Sequence, residues 1–244
     1  LKQHCDKRRI LFLSTPHTCQ SALFLDKLVP FFKIGSGDIT NLPMLQEISQ
    51  MQKPIILSTG MSTLEEINDA LKSIMEMGNS QIIILHCTSN YPCPLNRVNL
   101  RAMKTIKQRF GLQVGYSDHT KGSHVSIAAI ALGASVIEKH ITLNKKLKGP
   151  DHSASLEPKE FIRFVEDIRT TEEILGSHQK TPTKSEMKNI NHARKVIVAS
   201  KNISKGEKFN LKNVTVKRAG AGLSSLYWDK VIGSKAKQNY RADQ

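Results

Sequence analysis

The sequence predicts an α/β fold: the larger part of a (β/α)8 barrel followed by a small β-rich domain. Three observations carry this. Short apolar runs alternate with amphipathic helical stretches through residue 175 or so, each run ends in a small polar cluster, and beyond Gly176 the composition shifts. Alternation of buried apolar strands with helices implies a parallel sheet. Functional residue types at every strand end favour a barrel, because an open doubly wound sheet gathers them only near its switch point.

The expected strands are Ile10–Thr15, Phe31–Ser36, Pro54–Thr59, Ile82–Cys87, Gln113–Ser117 and Ser135–Ile141. Between them, Ser62–Met77, Asn99–Arg109 and Ser123–Leu132 carry helical periodicity, and Leu1–Arg8 opens the chain as a helix. Six strands fall short of the eight that close a barrel, so the first two βα units are expected to be missing. The barrel portion is assigned to residues 1–175. Residues 176–192, rich in Gly, Ser, Thr, Pro and Lys, are expected to be a linker. Residues 193–244 form the small domain, with strands at Val196–Ala199 and Val214–Lys217, a turn at Ile203–Glu207 and a glycine-rich loop at Ala219–Gly222.

Composition narrows the function classes. The chain has 244 residues and a formal net charge of +15, yet only 5% are aromatic and the basic residues are dispersed. No nucleic-acid-binding signature accompanies the charge, so anionic ligands are the expected use of the lysines and arginines. No apolar run approaches the roughly 20 residues that span a bilayer. Cys5, Cys19, Cys87 and Cys93 form no Cys-x-x-Cys pair, and Cys19 and Cys87, beside strand-like runs, read as free thiols, as expected of a cytoplasmic protein.

Six segments in order carry a family resemblance. They are Phe32-Lys33-Ile34-Gly35-Ser36-Gly37-Asp38, Ile56-Leu57-Ser58-Thr59-Gly60-Met61, His86-Cys87-Thr88-Ser89-Asn90-Tyr91-Pro92, Gly115-Tyr116-Ser117-Asp118-His119-Thr120, Glu138-Lys139-His140 and Gly149-Pro150-Asp151-His152-Ser153-Ala154-Ser155. The chain resembles the sialic acid synthase family, which includes N-acetylneuraminate and legionaminate synthases. Its tail, with Val216-Lys217-Arg218-Ala219-Gly220, is similar to that family's antifreeze-like (SAF) domain.

The resemblance implies an enzyme that joins C3 of phosphoenolpyruvate to the aldehyde carbon of an N-acetylated amino sugar, N-acetylmannosamine or a 2,4-diacetamido relative. Water adds at C2 and phosphate leaves. It implies a Mn2+ or Mg2+ ion on His119 and His140, acting as a Lewis acid. It places Lys33, Ser36, Ser58, Ser89 and Ser117 on phosphoenolpyruvate and Tyr91 and Asp151 on the sugar. Asp38 is its candidate for orienting or deprotonating water, the alternative being a helix N-cap ahead of Asn41–Ile48. Arg218 would reach a partner subunit's barrel in a domain-swapped homodimer and meet the N-acetyl group. The family's first-strand glutamate and second-strand lysine have no counterpart here, so a catalytically inactive fragment is one expected outcome. Another aldol-type barrel synthase that uses phosphoenolpyruvate, or a non-catalytic ligand-binding remnant, are the alternatives.

Overall fold

The computed structural model describes residues 1–220 and 222–244 and divides the chain into two compact units, Leu1–Gly176 and Ser177–Gln244. The first unit is an α/β half-barrel. Its elements run α1 (Lys2–Arg8), α2 (Cys19–Asp26), β1 (Phe32–Ile34), α3 (Leu42–Gln50), β2 (Ile55–Ser58), α4 (Leu64–Glu76), β3 (Ile82–Cys87), α5 (Arg101–Phe110), β4 (Gln113–Asp118), α6 (His124–Ala131), β5 (Ile137–Lys139) and α7 (Pro158–Leu175). The five strands are parallel and pair in sequence order.

Period-two alternation gives the sheet two unlike faces. Phe32, Ile34, Ile55, Leu57, Ile84 and Tyr116 point to the helices and are fully buried. They pack with Met44, Leu45 and Ile48 of α3, Ile67 and Ile74 of α4, and Met103 of α5. Register places Lys33, Ile56, Ile83 and Gln113 in line on the other, concave face. Curl across that face is strong enough for Lys33 of β1 to approach Glu138 of β5 within 3.4 Å.

Local chemistry sets the helix boundaries. Thr63 caps α4, its hydroxyl accepting from Glu66 N–H while the Glu66 carboxylate accepts from Thr63 N–H. Gly111, at φ 69°, ends α5 in the left-handed conformation that costs glycine little.

Two expectations change here. Ile10–Thr15 forms no strand and makes no ladder bonds, so the sheet has five strands rather than six. Only Phe12 of this run packs on the core, while Ile10 and Leu11 stay exposed. Asp38 is not the N-cap of α3. It lies in a 3-10 turn, Ser36–Asp38, and Asn41 occupies the cap position.

The second unit opens with α8 (Lys184–Ala193), inside the segment read as linker. Thr183 and Glu186 form its capping box. An antiparallel sheet follows from β6 (Val196–Ala199), β7 (Val214–Lys217) and β8 (Leu223–Ser224), in the order β7-β6-β8, and then α9 (Trp228–Val231). Its small core is Ala199, Ile203, Val214 and Ala236, with Phe209, Trp228 and Tyr240 packed around it. In the glycine-rich loop, a Cβ on Gly222 would meet Val196 Cγ2 at 2.8 Å, so glycine is required for that approach. Ala221 of the same loop lies outside the described residues. Among the described residues no helix is long and apolar enough to cross a membrane.

Candidate active site

The C-terminal strand ends carry two groups of polar side chains. The first surrounds Gly60, just past β2. Its N–H donates to Ser36 Oγ at 3.0 Å, and Ser36 Oγ lies 3.2 Å from Cys87 Sγ. A Cβ on Gly60 would stand 2.3 Å from Ser89 Oγ, 2.9 Å from Ser36 Oγ and 3.0 Å from Cys87 Sγ. Two hydroxyls and a thiol, from the ends of β1 and β3, thus converge on the end of β2 where only a glycine leaves room. Ser58, at the end of β2, is buried and its Oγ has no hydrogen-bond partner. An unpaired buried hydroxyl is costly, and a polar ligand would relieve it.

The second group surrounds two imidazoles. His119 and His140 follow the last residues of β4 and β5, and their ring centroids are 5.4 Å apart. Tyr91 packs on both, at 4.1 Å from His119 and 5.5 Å from His140. His119 Nδ1 donates to the Thr88 carbonyl at 2.8 Å, which leaves Nε2 as an acceptor close to Ser117 Oγ at 3.3 Å. Burial lowers the His119 pKa and the neighbouring His140 adds to that, while the Thr88 carbonyl acts in the opposite direction. A neutral ring with a fixed tautomer is the form a metal ion or a proton donor needs. Asp151 Oδ2 stands 3.7 Å from His140 Nδ1. Burial raises the Tyr91 phenol, and Cys87, Asp151 and Glu138 push in the same direction.

Glu138 joins the second group to Lys33. Its Oε1 accepts from Ser117 Oγ at 2.6 Å, and its Oε2 faces Lys33 Nζ. Lys33, with a side chain only 13% exposed, also donates to the Ile34 carbonyl at 3.3 Å. A contact path therefore runs Lys33–Glu138–Ser117–His119 across the concave face.

Of the residues expected from sequence, Ser36 and Ser89 meet at Gly60, while Tyr91, Ser117, His119, His140 and Asp151 meet around the imidazoles. Asp38 joins neither group directly. Its Oδ2 lies 3.4 Å from Nδ1 of the exposed His17. Arg218 is exposed just past β7 in the second unit. Sequence reasoning missed Glu138, Cys87 and the Thr88 carbonyl. All three lie inside segments singled out for other residues. The signal for Glu138 was its place two residues before His140, on the strand face it shares with Lys33.

Comparison of the whole chain with known proteins supplies the family. The NeuB family matches residues 1–180 and the SAF domain residues 194–244. The N,N'-diacetyllegionaminic acid synthase of Campylobacter jejuni is 49% identical over 244 residues, which is 99% of this chain and 73% of that protein. Its namesake in Legionella pneumophila is 41% identical over 96% of this chain and 67% of its own length. The crystal structure of an N-acetylneuraminic acid synthetase from Leptospira borgpetersenii superposes with a TM-score of 0.73 at 35% identity, covering 78% of this chain and 66% of that one. With the family matched across the whole half-barrel and relatives this close in sequence, the chain belongs to the NeuB family of synthases.

Proposed function

We propose that this chain supplies the phosphoenolpyruvate and metal sites of a synthase that condenses phosphoenolpyruvate with an N-acetylated amino sugar, releasing phosphate. The observation that carries the proposal is the presence on one concave face of a hydroxyl cradle and a histidine pair, the latter linked through Ser117 and Glu138 to Lys33. The names of the relatives at 49% and 41% identity support a 2,4-diacetamido sugar as the acceptor, ahead of N-acetylmannosamine.

In this reaction C3 of the enol phosphate attacks the sugar aldehyde. The carbon–carbon bond forms as the C=C π electrons move to it, and the aldehyde oxygen takes a proton. Water then adds to the electron-poor C2, and the C2–O bond to phosphate breaks. Ser36, Ser58 and Ser89 supply hydroxyl donors for the phosphate and carboxylate oxygens, with Lys33 and Ser117 as further contacts. Tyr91 and Asp151 orient the sugar next to the imidazoles. Asp38, held by His17, is the candidate to orient or deprotonate the water.

The donor set around His119 fits a divalent cation, because Nδ1 is committed to Thr88 O and Nε2 keeps its lone pair. Among the described residues no third His, Cys, Asp or Glu completes a cluster, so waters and substrate oxygens would fill the remaining positions. Mn2+ or Mg2+ held by His119 and His140 would supply Lewis acidity toward the aldehyde oxygen. We assign Arg218 to the N-acetyl group in a partner's barrel within a domain-swapped homodimer, on the family resemblance of its loop. A cytoplasmic site of action accords with four free cysteines.

Calorimetric titration of phosphoenolpyruvate into the chain, with Mn2+ present, tests the core of this reading. Wild type should bind, and Lys33→Met should bind at least about tenfold more weakly, the loss of one charge-assisted contact. Equal binding by both would refute the assignment.

A further inference from the structure

We infer that Asp118 and Lys139 form a buried cross-tie that sets the spacing of His119 and His140. The inference rests on the reading that these histidines hold a divalent cation. Each tie residue immediately precedes one of them, and the alternation of β4 and β5 turns the tie toward the helices and the imidazoles toward the concave face. Asp118 and Lys139 are the last register partners of the sheet. Beyond them, the backbones of the two histidines go separate ways. His119 O accepts from Cys93 N–H, and His140 O from Leu156 N–H.

What links them is the tie. Lys139 Nζ lies 3.0 Å from Asp118 Oδ2, with the side chains 1% and 0% exposed. Lys139 also donates to the Thr120 carbonyl at 2.5 Å. Asp118 Oδ1 accepts from Thr120 N–H at 2.8 Å and from Thr120 Oγ1 at 2.7 Å. The residue after His119 is therefore gripped on its N–H, its carbonyl and its side chain, and one of the grips comes from the residue before His140. Ser126 of α6 completes the set, donating to Asp118 Oδ2 at 2.6 Å.

Stability alone is a poor account of this arrangement. A buried ion pair loses much of its attraction to desolvation and can often be replaced by apolar groups at little cost. Outer-layer partners of metal-binding histidines, in contrast, typically change metal affinity by about 10- to 100-fold when removed.

The test is Mn2+ titration of the full chain, followed by electron paramagnetic resonance, on wild type, His119→Ala and the double variant Asp118→Asn/Lys139→Met. Removing both charges together avoids leaving one buried and unpaired. The expected result is a folded double variant with Mn2+ affinity reduced about 10- to 100-fold and phosphoenolpyruvate affinity within about threefold of wild type. A purely structural role would weaken both ligands together. A folded double variant that binds Mn2+ within about twofold of wild type overturns the cross-tie. If His119→Ala binds Mn2+ as well as wild type, the histidine reading itself falls and takes the cross-tie with it. Should the double variant not fold, Thr120→Val with Ser126→Ala removes two of Asp118's hydroxyl donors without touching a charge. Unchanged Mn2+ affinity there also overturns the inference.

Discussion

The two faces of the five-stranded sheet are built from alternate residues of the same strands, yet they are made of different chemistry. Phe32, Ile34, Leu57 and Ile84 are sealed under α3 to α5 in a cluster of buried apolar side chains. On the opposite face Lys33, Ser117 and Glu138 are linked through hydrogen bonds and charge, Cys87 meets Ser36, and the Ser58 hydroxyl has no partner. Folding free energy is thus concentrated on the convex side and ligand chemistry on the concave side. A one-residue slip in register would exchange them, which is why the register has to be held along the whole sheet.

Breaking the convex side should give the largest effect. Ile84→Ala at the centre of β3 removes a fully buried side chain and should cost about 2–5 kcal/mol of unfolding free energy in urea titrations. A loss under about 1 kcal/mol would show that the core is not on this face.

Breaking the concave side should spare stability and remove ligands. His119→Ala combined with His140→Ala should weaken Mn2+ binding at least about 100-fold, well over one first-layer contact, with the urea midpoint little changed. Unaltered Mn2+ affinity would sever the histidine pair from the metal. Gly60→Ala is a smaller intrusion. Its Cβ falls among Ser36, Cys87 and Ser89, and displacing those groups should weaken phosphoenolpyruvate about tenfold. An alanine variant with full affinity would place the anion elsewhere.

The separation of faces was largely legible in the sequence, because strands written as apolar runs with Lys33, Ser58 or Ser117 set among them already alternate. Helices α4 and α5 were equally legible, since Thr63 and Glu66 spell a capping box and Gly111 a C-terminal stop, whereas α2 and α7 were not among the expected helices. Other features depend on distance in space. Nothing local says that Ile10–Thr15 lacks a ladder, because strand pairing belongs to the neighbour as much as to the segment. The capping box at Thr183 and Glu186 was readable, but the surrounding Lys, Ser and Pro residues masked it as linker. In the candidate site, motif matching singled out the histidines and serines. Glu138 emerges only from the curl that carries β5 toward β1, and the roles of Asp118 and Lys139 only from the closure of a hydrogen-bond set around Thr120.

The smallest predicted effect concerns His86, a titratable residue on the convex, structural face. It shares strand parity with Ile84 and sits beside Tyr116, with ring centroids 5.7 Å apart. Its Nε2 donates to the Val98 carbonyl at 3.0 Å, tying β3 to the segment that leads into α5. Burial lowers its pKa below the usual imidazole value of about 6.5, against the opposing pull of the Val98 and Asn99 carbonyls. The sign of the linkage follows. Below about pH 6.5 the unfolded chain takes up a proton at this position while the folded chain resists it, so the unfolded state binds more protons. Stability therefore falls as pH drops through that value, and this contribution levels off only once the pH passes below the folded pKa. His119, lowered by burial in the same direction, adds a slope of the same sign in the metal-free chain. His86→Gln keeps a donor for Val98 O and removes the proton. Urea unfolding at pH 7 and pH 5 should show a smaller loss of stability in the variant than in wild type, with phosphoenolpyruvate and Mn2+ affinities at pH 7 unchanged. Equal losses in both proteins would mean that His86 titrates alike in the folded and unfolded chains. A change in ligand affinity would mean that His86 itself shares in binding.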